Sequence, residues 1–91
     1  MVTDSAWEAF LHEYVTPRFP DGLTVWRAEG QWRDPFGTVV REATLMLEVF
    51  HPPSSMADVA LGEIANEYKT RFKQDAVLRT TSPVSVRFYE N

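Results

Sequence analysis

The chain has 91 residues, 44% of them hydrophobic and 13% aromatic, and its 9 basic and 13 acidic residues give a net charge of −4. This length predicts a single domain over residues 1–91 with one modest core, and the acidic balance argues against nucleic acid or an anionic membrane as a partner. Because the chain has no cysteine, disulfides, thiolate metal sites and a cysteine nucleophile are excluded.

The first predicted element is an amphipathic helix. Thr3 or Ser5 can cap it, and the stretch "SAWE", residues 5–8, matches a capping box. Its apolar positions recur at helical spacing: Trp7, Phe10, Leu11 and Tyr14. Pro17 ends the helix because its ring pushes the preceding residue out of helical geometry. The "FPDG" stretch, residues 19–22, then predicts a turn.

Two strands, residues 23–33 and 38–50, are predicted to form a hairpin around the four-residue turn Asp34-Pro35-Phe36-Gly37. If Asp34 pairs with Gly37, the residue numbers of cross-strand partners add up to about 71. This register places Glu29 opposite Glu42. It also predicts an apolar side that meets the helices: Trp26, Ala28, Trp32, Val39, Ala43, Leu45, Leu47 and Val49.

A second helix and a last strand complete the pattern. Ser54 or Ser55 is expected to cap the helix, which ends near residue 73. Its apolar stripe also follows helical spacing: Leu61, Ile64, Ala65, Tyr68 and Phe72. The last strand is predicted over residues 76–89, with a bend or bulge at Ser82-Pro83 because proline cannot donate to a ladder.

The order helix, strand, strand, helix, strand predicts an α+β sandwich, an antiparallel sheet with two helices on one face. It is a ferredoxin-like α-β-β-α-β arrangement, a βαββαβ unit that lacks its first strand. Removing that strand leaves unpaired backbone groups on its neighbours. We therefore expect the gap to be filled by dimerisation, by rearrangement of the strands or by the N-terminal residues. Truncation or engineering of a longer parent would also explain the missing strand.

Several strings in the chain resemble one protein family: "VTDSAWEAFL", "VTPRFPDGLTV", "GQWRD", "VVRE", "YKTRFKQDAVLR" and "VSVRF". They are similar to the small bacterial proteins grouped as domain of unknown function 3574, over nearly the whole chain. The resemblance implies a ferredoxin-like α+β fold and little about activity, because the family is itself uncharacterised. Members usually begin with a strand of the type "LYFG", whereas here Met1 directly precedes the residue that matches the family's helix start.

The first functional hypothesis is an oligomeric protein that binds a small organic ligand between sheet and helices, with or without cofactor-independent catalysis. The candidate ligand-binding residues are polar or aromatic: Arg18, Trp26, Gln31, Trp32, Arg33, Glu42, His51 and Tyr68. The Arg18 guanidinium suits an anion, or it caps carbonyls at the helix C terminus and pairs with Asp21. Trp32 suits a planar ligand, or it could close the core. No catalytic residue is assigned.

The second hypothesis is an interaction module that docks a partner protein through a sheet edge or the outer sheet face. In the predicted register an apolar patch lies on that outer face, and such patches mark interfaces. Its residues are Leu23, Val25, Met46 and Phe50. A homodimer is the expected assembly under the first hypothesis.

No metal or cofactor is predicted, because His12 and His51 are isolated and no nucleotide-binding glycine motif occurs. The N terminus lacks the basic start and apolar run of a signal peptide, and no window approaches the ~18 apolar residues of a membrane span. We therefore expect a cytoplasmic protein.

Overall fold

A computed structural model describes residues 2–90 and contains helices packed on a two-stranded antiparallel sheet. The elements in chain order are helix α1 (Asp4–Phe10), a π-helical turn (Leu11–Val15), strand β1 (Thr24–Arg33), strand β2 (Val39–Glu48) and helix α2 (Ser55–Phe72). The α+β class predicted from the sequence is confirmed. Four of the five predicted elements are present, and each observed limit lies within two residues of the predicted one wherever a limit was predicted.

Both helices begin at the hydroxyl residues that the sequence offered as caps. The Ala6 N–H donates to Thr3 Oγ1 at 3.1 Å, and the Ala57 N–H donates to Ser54 Oγ at 3.0 Å. Each hydroxyl satisfies one of the N–H groups that a helix start leaves without a partner, which stabilises the helix by about 1 kcal/mol. At the end of α2, Lys73 takes a left-handed conformation with φ of 53°.

The hairpin turn differs from its predicted form by one residue. The Gly37 N–H donates to the Asp34 carbonyl at 3.0 Å, and the Asp34 N–H donates to the Thr38 carbonyl at 2.9 Å. Asp34 therefore pairs with Thr38, and Gly37 at φ of 85° is an extra, bulged residue between them. This is the three-residue loop in which a type I turn is followed by a left-handed glycine.

The shifted register changes which residues share a face of the sheet. Trp26 lies opposite Met46, Trp32 lies opposite Val40, and Glu29 lies opposite Ala43. The predicted pairing of Glu29 with Glu42 is therefore wrong. Because side chains alternate along a strand, a shift of one residue moves every β1 side chain to the other face relative to β2.

The predicted helix-facing set is right for its β2 residues and wrong for its three β1 residues, Trp26, Ala28 and Trp32. Leu45 and Leu47 of β2 pack there as expected, and so do Leu23 and Val25, which the predicted register placed on the outer face. Trp26 and Trp32 lie on the opposite side of the sheet, so the prediction that they belong to the core is wrong. Their exposed fractions are 43% and 50%.

The core lies between the two helices and the root of the hairpin. Its buried residues are Trp7, Phe10, Val15, Ala57 and Ile64. Phe10 is 1% exposed, and its ring lies 5.7–6.0 Å from the rings of four neighbours: Trp7, Tyr14, Tyr68 and Phe72. The predicted stripe of the first helix is confirmed, because all of its members form or contact this cluster. In the second helix Ile64, Tyr68 and Phe72 do so, while Leu61 and Ala65 are half-buried.

The predicted last strand is absent from the structure of residues 2–90. Residues 76–90 form no helix or strand, and every one of them is exposed. Within this part of the chain, Arg79 pairs with Asp58 in the first turn of α2 at 2.7 Å. Within residues 2–90 the sheet contains β1 and β2 alone, and the segment pairs with neither of them.

Candidate interaction surface

The side of the hairpin turned away from the helices forms a surface that we call the outer sheet face. It consists of alternate residues of both strands: Trp26, Ala28, Gly30, Trp32, Val40, Glu42, Thr44 and Met46. Trp26 and Met46 form one cross-strand pair near the root, and Trp32 and Val40 form another near the tip. None of these eight residues is buried. The face therefore presents two indole rings and a thioether to solvent.

Trp32 is held in place by a diagonal contact across the hairpin. Its Nε1–H donates to Glu42 Oε1 at 3.0 Å. Glu42 lies opposite Gly30. This pair is the neighbour of the Trp32–Val40 pair on the same face, so the hydrogen bond runs diagonally between the two pairs. The two sequence candidates Trp32 and Glu42 are thus brought together, although on the outer sheet face.

Small side chains separate the two tryptophans. Trp26 and Trp32 lie about 20 Å apart along β1 at the usual rise of a strand, with Ala28 and Gly30 between them on the same face. A Cβ added at Gly30 would lie 3.2 Å from Thr44 Oγ1. The glycine therefore permits Thr44 to approach the β1 backbone.

The free edge of β2 is a second exposed feature of the sheet. In an antiparallel pair, hydrogen-bonded pairs alternate with pairs whose backbone groups point outward. Asp34 donates to Thr38, so the even-numbered pairs are the hydrogen-bonded ones. The odd-numbered residues therefore point their backbone groups away from the partner strand. On β2 these are Val39, Arg41, Ala43, Leu45 and Leu47. Such a row of donors and acceptors is a template for another strand.

The other ligand candidates are dispersed over the molecule. Arg18 stacks its guanidinium on the Tyr14 ring at 3.6 Å, donates to the Tyr14 carbonyl at 2.9 Å and pairs with Glu63 at 3.3 Å. These contacts match its expected alternative role at the helix end, with Glu63 in place of the expected partner Asp21. The His51 ring lies 6.3 Å from the Phe19 ring.

Tyr68 belongs to the aromatic core. Its ring lies 5.0 Å from that of Phe72 and 6.1 Å from that of Trp7. Burial raises the pKa of the Tyr68 hydroxyl above its ordinary value, and the nearby charge of Arg27 partly opposes this shift. Arg27 also pairs with Asp4 at the start of α1, which ties β1 to that helix.

Gln31 and Arg33 lie near the tip of β1, beyond the helix layer, and both are exposed. On the same side, Arg41 and Glu29 approach to 3.9 Å, and both are largely exposed. An exposed pair of this kind contributes little to stability. The tip of the hairpin is therefore charged and solvated. The apolar contacts of its helix-facing side are concentrated at the root.

Met46 and Phe50 are the two interface candidates that remain accessible, whereas Leu23 and Val25 are partly buried against the core. Sequence reasoning missed a larger apolar group, which is exposed in the C-terminal segment: Val77, Leu78, Val84, Val86, Phe88 and Tyr89. The alternation of Val84, Val86 and Phe88 was visible in the sequence. It was interpreted as part of a strand within the sheet.

Among residues 2–90 no group of three or more His, Asp or Glu side chains could hold a metal ion. No helix in this part of the chain is long and apolar enough to cross a membrane.

Comparison with known families places the chain in one family. Residues 1–88 match the family described as "Protein of unknown function (DUF3574)", so the chain belongs to that family and the resemblance seen in the sequence is confirmed. Comparisons with curated proteins and with solved structures returned no match.

Proposed function

We propose that this protein is an interaction module that docks a partner protein through its two-stranded sheet, using the outer sheet face and the free edge of β2. The observation that carries the proposal is the exposure of Trp26, Trp32 and Met46 on one face of the hairpin. Tryptophan and methionine are enriched at the centres of protein interfaces, and tryptophan is among the residues whose removal weakens binding most.

The indole of Trp32 supports this proposal in a second way. A tryptophan ring has few rotatable bonds, and its hydrogen bond to Glu42 restricts it further. Ordering it on binding therefore costs less conformational entropy than ordering a flexible side chain. Only the small residues Ala28 and Gly30 lie between Trp26 and Trp32 on this face of β1, so no bulky β1 side chain hinders a partner that contacts both indole rings.

Small-ligand binding between the sheet and the helices has less support as a function. Trp26, Trp32 and Glu42 lie on the outer sheet face, whereas Arg18 and Tyr68 lie on the helix side and already have partners within the chain. A ligand pocket needs polar groups that converge on one concavity. These candidates do not converge.

A photo-crosslinking experiment tests the proposal. The photoreactive residue p-benzoylphenylalanine is placed at Trp32, and a control chain carries it at Glu8, an exposed residue of α1. Each chain replaces the native copy in the source cells, which are then irradiated, and adducts are identified by mass spectrometry. We expect a defined protein adduct from position 32 and none from position 8. Equal labelling from both positions, or no protein adduct from position 32, would refute the proposal.

A further inference from the structure

We infer that the partner docked by the sheet is a second copy of this chain, and that residues 84–89 of each copy pair as a β-strand with the free edge of β2 in the other. This C-terminal segment, residues 84–89, is called the arm below. The inference rests on the proposed function, because it names the partner and the element that occupy the sheet. Exchange of identical arms is reciprocal and closes about a two-fold axis.

The chain alone exposes far more surface than a folded protein of its mass. Its solvent-accessible area is 7670 Å² for a mass of 10.5 kDa, whereas a compact monomer of this mass exposes about 5,400 Å². Its radius of gyration is 15.4 Å, against about 12 Å for a compact chain of this length.

This excess area matches what a stable dimer buries. The surplus is about 2,200 Å² per chain, so two copies that removed it would bury about 4,400 Å² together, within the roughly 2,000–5,000 Å² of obligate dimers. An arm folded onto its own body would bury the arm and the β2 edge but would leave Trp26, Trp32 and Met46 exposed on the outer sheet face. A dimer in which arms and sheets are exchanged removes the surplus from both copies.

The arm has the sequence pattern of a strand but forms no backbone hydrogen bonds with a neighbouring strand. Val84, Val86 and Phe88 alternate with Ser85 and Arg87, and β-branched and aromatic residues at every second position are typical of a half-buried strand. No backbone–backbone hydrogen bond among the described residues involves residues 75–90. The arm and the edge of β2 therefore each lack the partner that the other can supply.

The apolar side of the arm fits the helix-facing side of β2. With Val84, Val86 and Phe88 turned toward the helices, the arm extends the partly buried surface of Leu45 and Leu47. Arg79 anchors the chain at the first turn of α2, so the reach of the arm toward another molecule is set by the residues after Arg79. The residues that follow can span ~3.3 Å each.

Charge complementarity favours β2 over β1 as the receiving edge. In the same orientation Arg87 lies on the outer side of the sheet, where β2 carries Glu42 and Glu48. On β1 the corresponding residues are uncharged except at the turn, and Gly30 interrupts the strand, which weakens it as a template. Arg27 of β1 is also engaged with Asp4 of α1.

The first test is the mass of the full chain in solution, measured by sedimentation velocity across a dilution series. We expect twice the chain mass of 10.5 kDa for the unaltered protein. Val86→Asp should weaken association at least tenfold, because it places a charge on the apolar side of the arm. Ser82→Asp adds the same charge in the same segment outside the alternating group, and it should leave association unchanged. Circular dichroism checks that both variants retain their helices.

The second test identifies which surfaces meet. The chain has no cysteine, so one chain can carry Ala43→Cys on the β2 edge and another Val84→Cys on the same, helix-facing side of the arm. A mixture of the two with a short bis-maleimide can join only different molecules, and we expect joined Ala43→Cys and Val84→Cys chains. Gln31→Cys on β1 replaces Ala43→Cys as the matched control and should give no product with the arm.

The outcomes separate the failure of this inference from the failure of the proposed function. A monomeric chain in which a double Ala43→Cys, Val84→Cys variant is linked internally would overturn arm exchange, because the arm would then fold onto its own sheet. A dimer that is insensitive to Val86→Asp would overturn it as well. In both cases a protein adduct at Trp32 would leave the proposed function standing. A monomer without such an adduct would refute both.

Discussion

Trp7 and Trp32 allow the observed hairpin register to be tested by one substitution made at two places. Trp7 is 8% exposed and packs its ring against Phe10 and Tyr68. Trp7→Ala removes a large ring from a packed core and should lower the free energy of unfolding by about 3–5 kcal/mol. A domain of this size loses about 4–8 °C of melting temperature per kcal/mol, so the variant should melt at least ~12 °C lower or be unfolded at room temperature.

Trp32→Ala should be much less damaging. The residue is 50% exposed, and the substitution removes one cross-strand pair, which contributes about 0.2–1 kcal/mol, and one hydrogen bond to Glu42, which contributes about 0.5–1.5 kcal/mol net. We therefore expect a loss of about 1–2 kcal/mol. Both variants are unfolded in urea at low protein concentration and followed by circular dichroism at 222 nm, the ordinary helix band. A loss at Trp32 equal to that at Trp7 would place Trp32 in the core and refute the bulged register.

Three further predictions concern two glycines, a helix cap and the pKa of Tyr68. Gly37→Ala should destabilise the protein by about 1 kcal/mol, because Gly37 has φ of 85°. The matched change Gly62→Ala, in α2 with open space around the added methyl group, should stabilise it by about 0.5–1 kcal/mol; thermal melts that moved in the same direction would contradict the assigned backbone conformation. Ser54→Ala should cost about 1 kcal/mol in urea titration through loss of the α2 cap, whereas Ser54→Asp should retain most of that stability. Burial raises the pKa of Tyr68 above 10.0, so the folded state holds this proton more tightly than the unfolded state. The protonated hydroxyl's contribution to folding stability is complete below the unfolded pKa. It is lost as the pH rises through the folded pKa. Tyr68→Phe should therefore reduce the fall in unfolding free energy between about pH 9 and about pH 11, and an unchanged slope would contradict the shift.

The helices were predictable because their signals are local. A hydroxyl residue before an apolar periodic stretch marks each start, and Pro17 and the end of the stripe mark the stops. Thr3 and Ser54 do cap the helices, and Trp7 and Phe10 are buried as their spacing requires. These interactions reach no further than four residues along the chain, so the order of residues is enough to specify them.

The candidate site was predicted only in part. Met46 and Phe50 are exposed. Trp32 contacts Glu42, which the predicted register placed on the other face of the sheet. The faces of Trp26, Trp32, Leu23 and Val25 were assigned wrongly, because the whole assignment depended on whether Asp34 pairs with Gly37 or with Thr38. The turn sequence is compatible with either pairing, and the two differ by one residue.

Residue order therefore establishes the caps, the apolar stripes, the existence of the hairpin and the family to which the chain belongs. Packing decides which side of the hairpin is covered, because only one register places Val25 together with Leu45 and Leu47 against the helices. It also decides the state of residues 76–90, whose alternating pattern predicts a strand. A strand needs a neighbour to satisfy its backbone groups, and the alternating pattern by itself does not supply one.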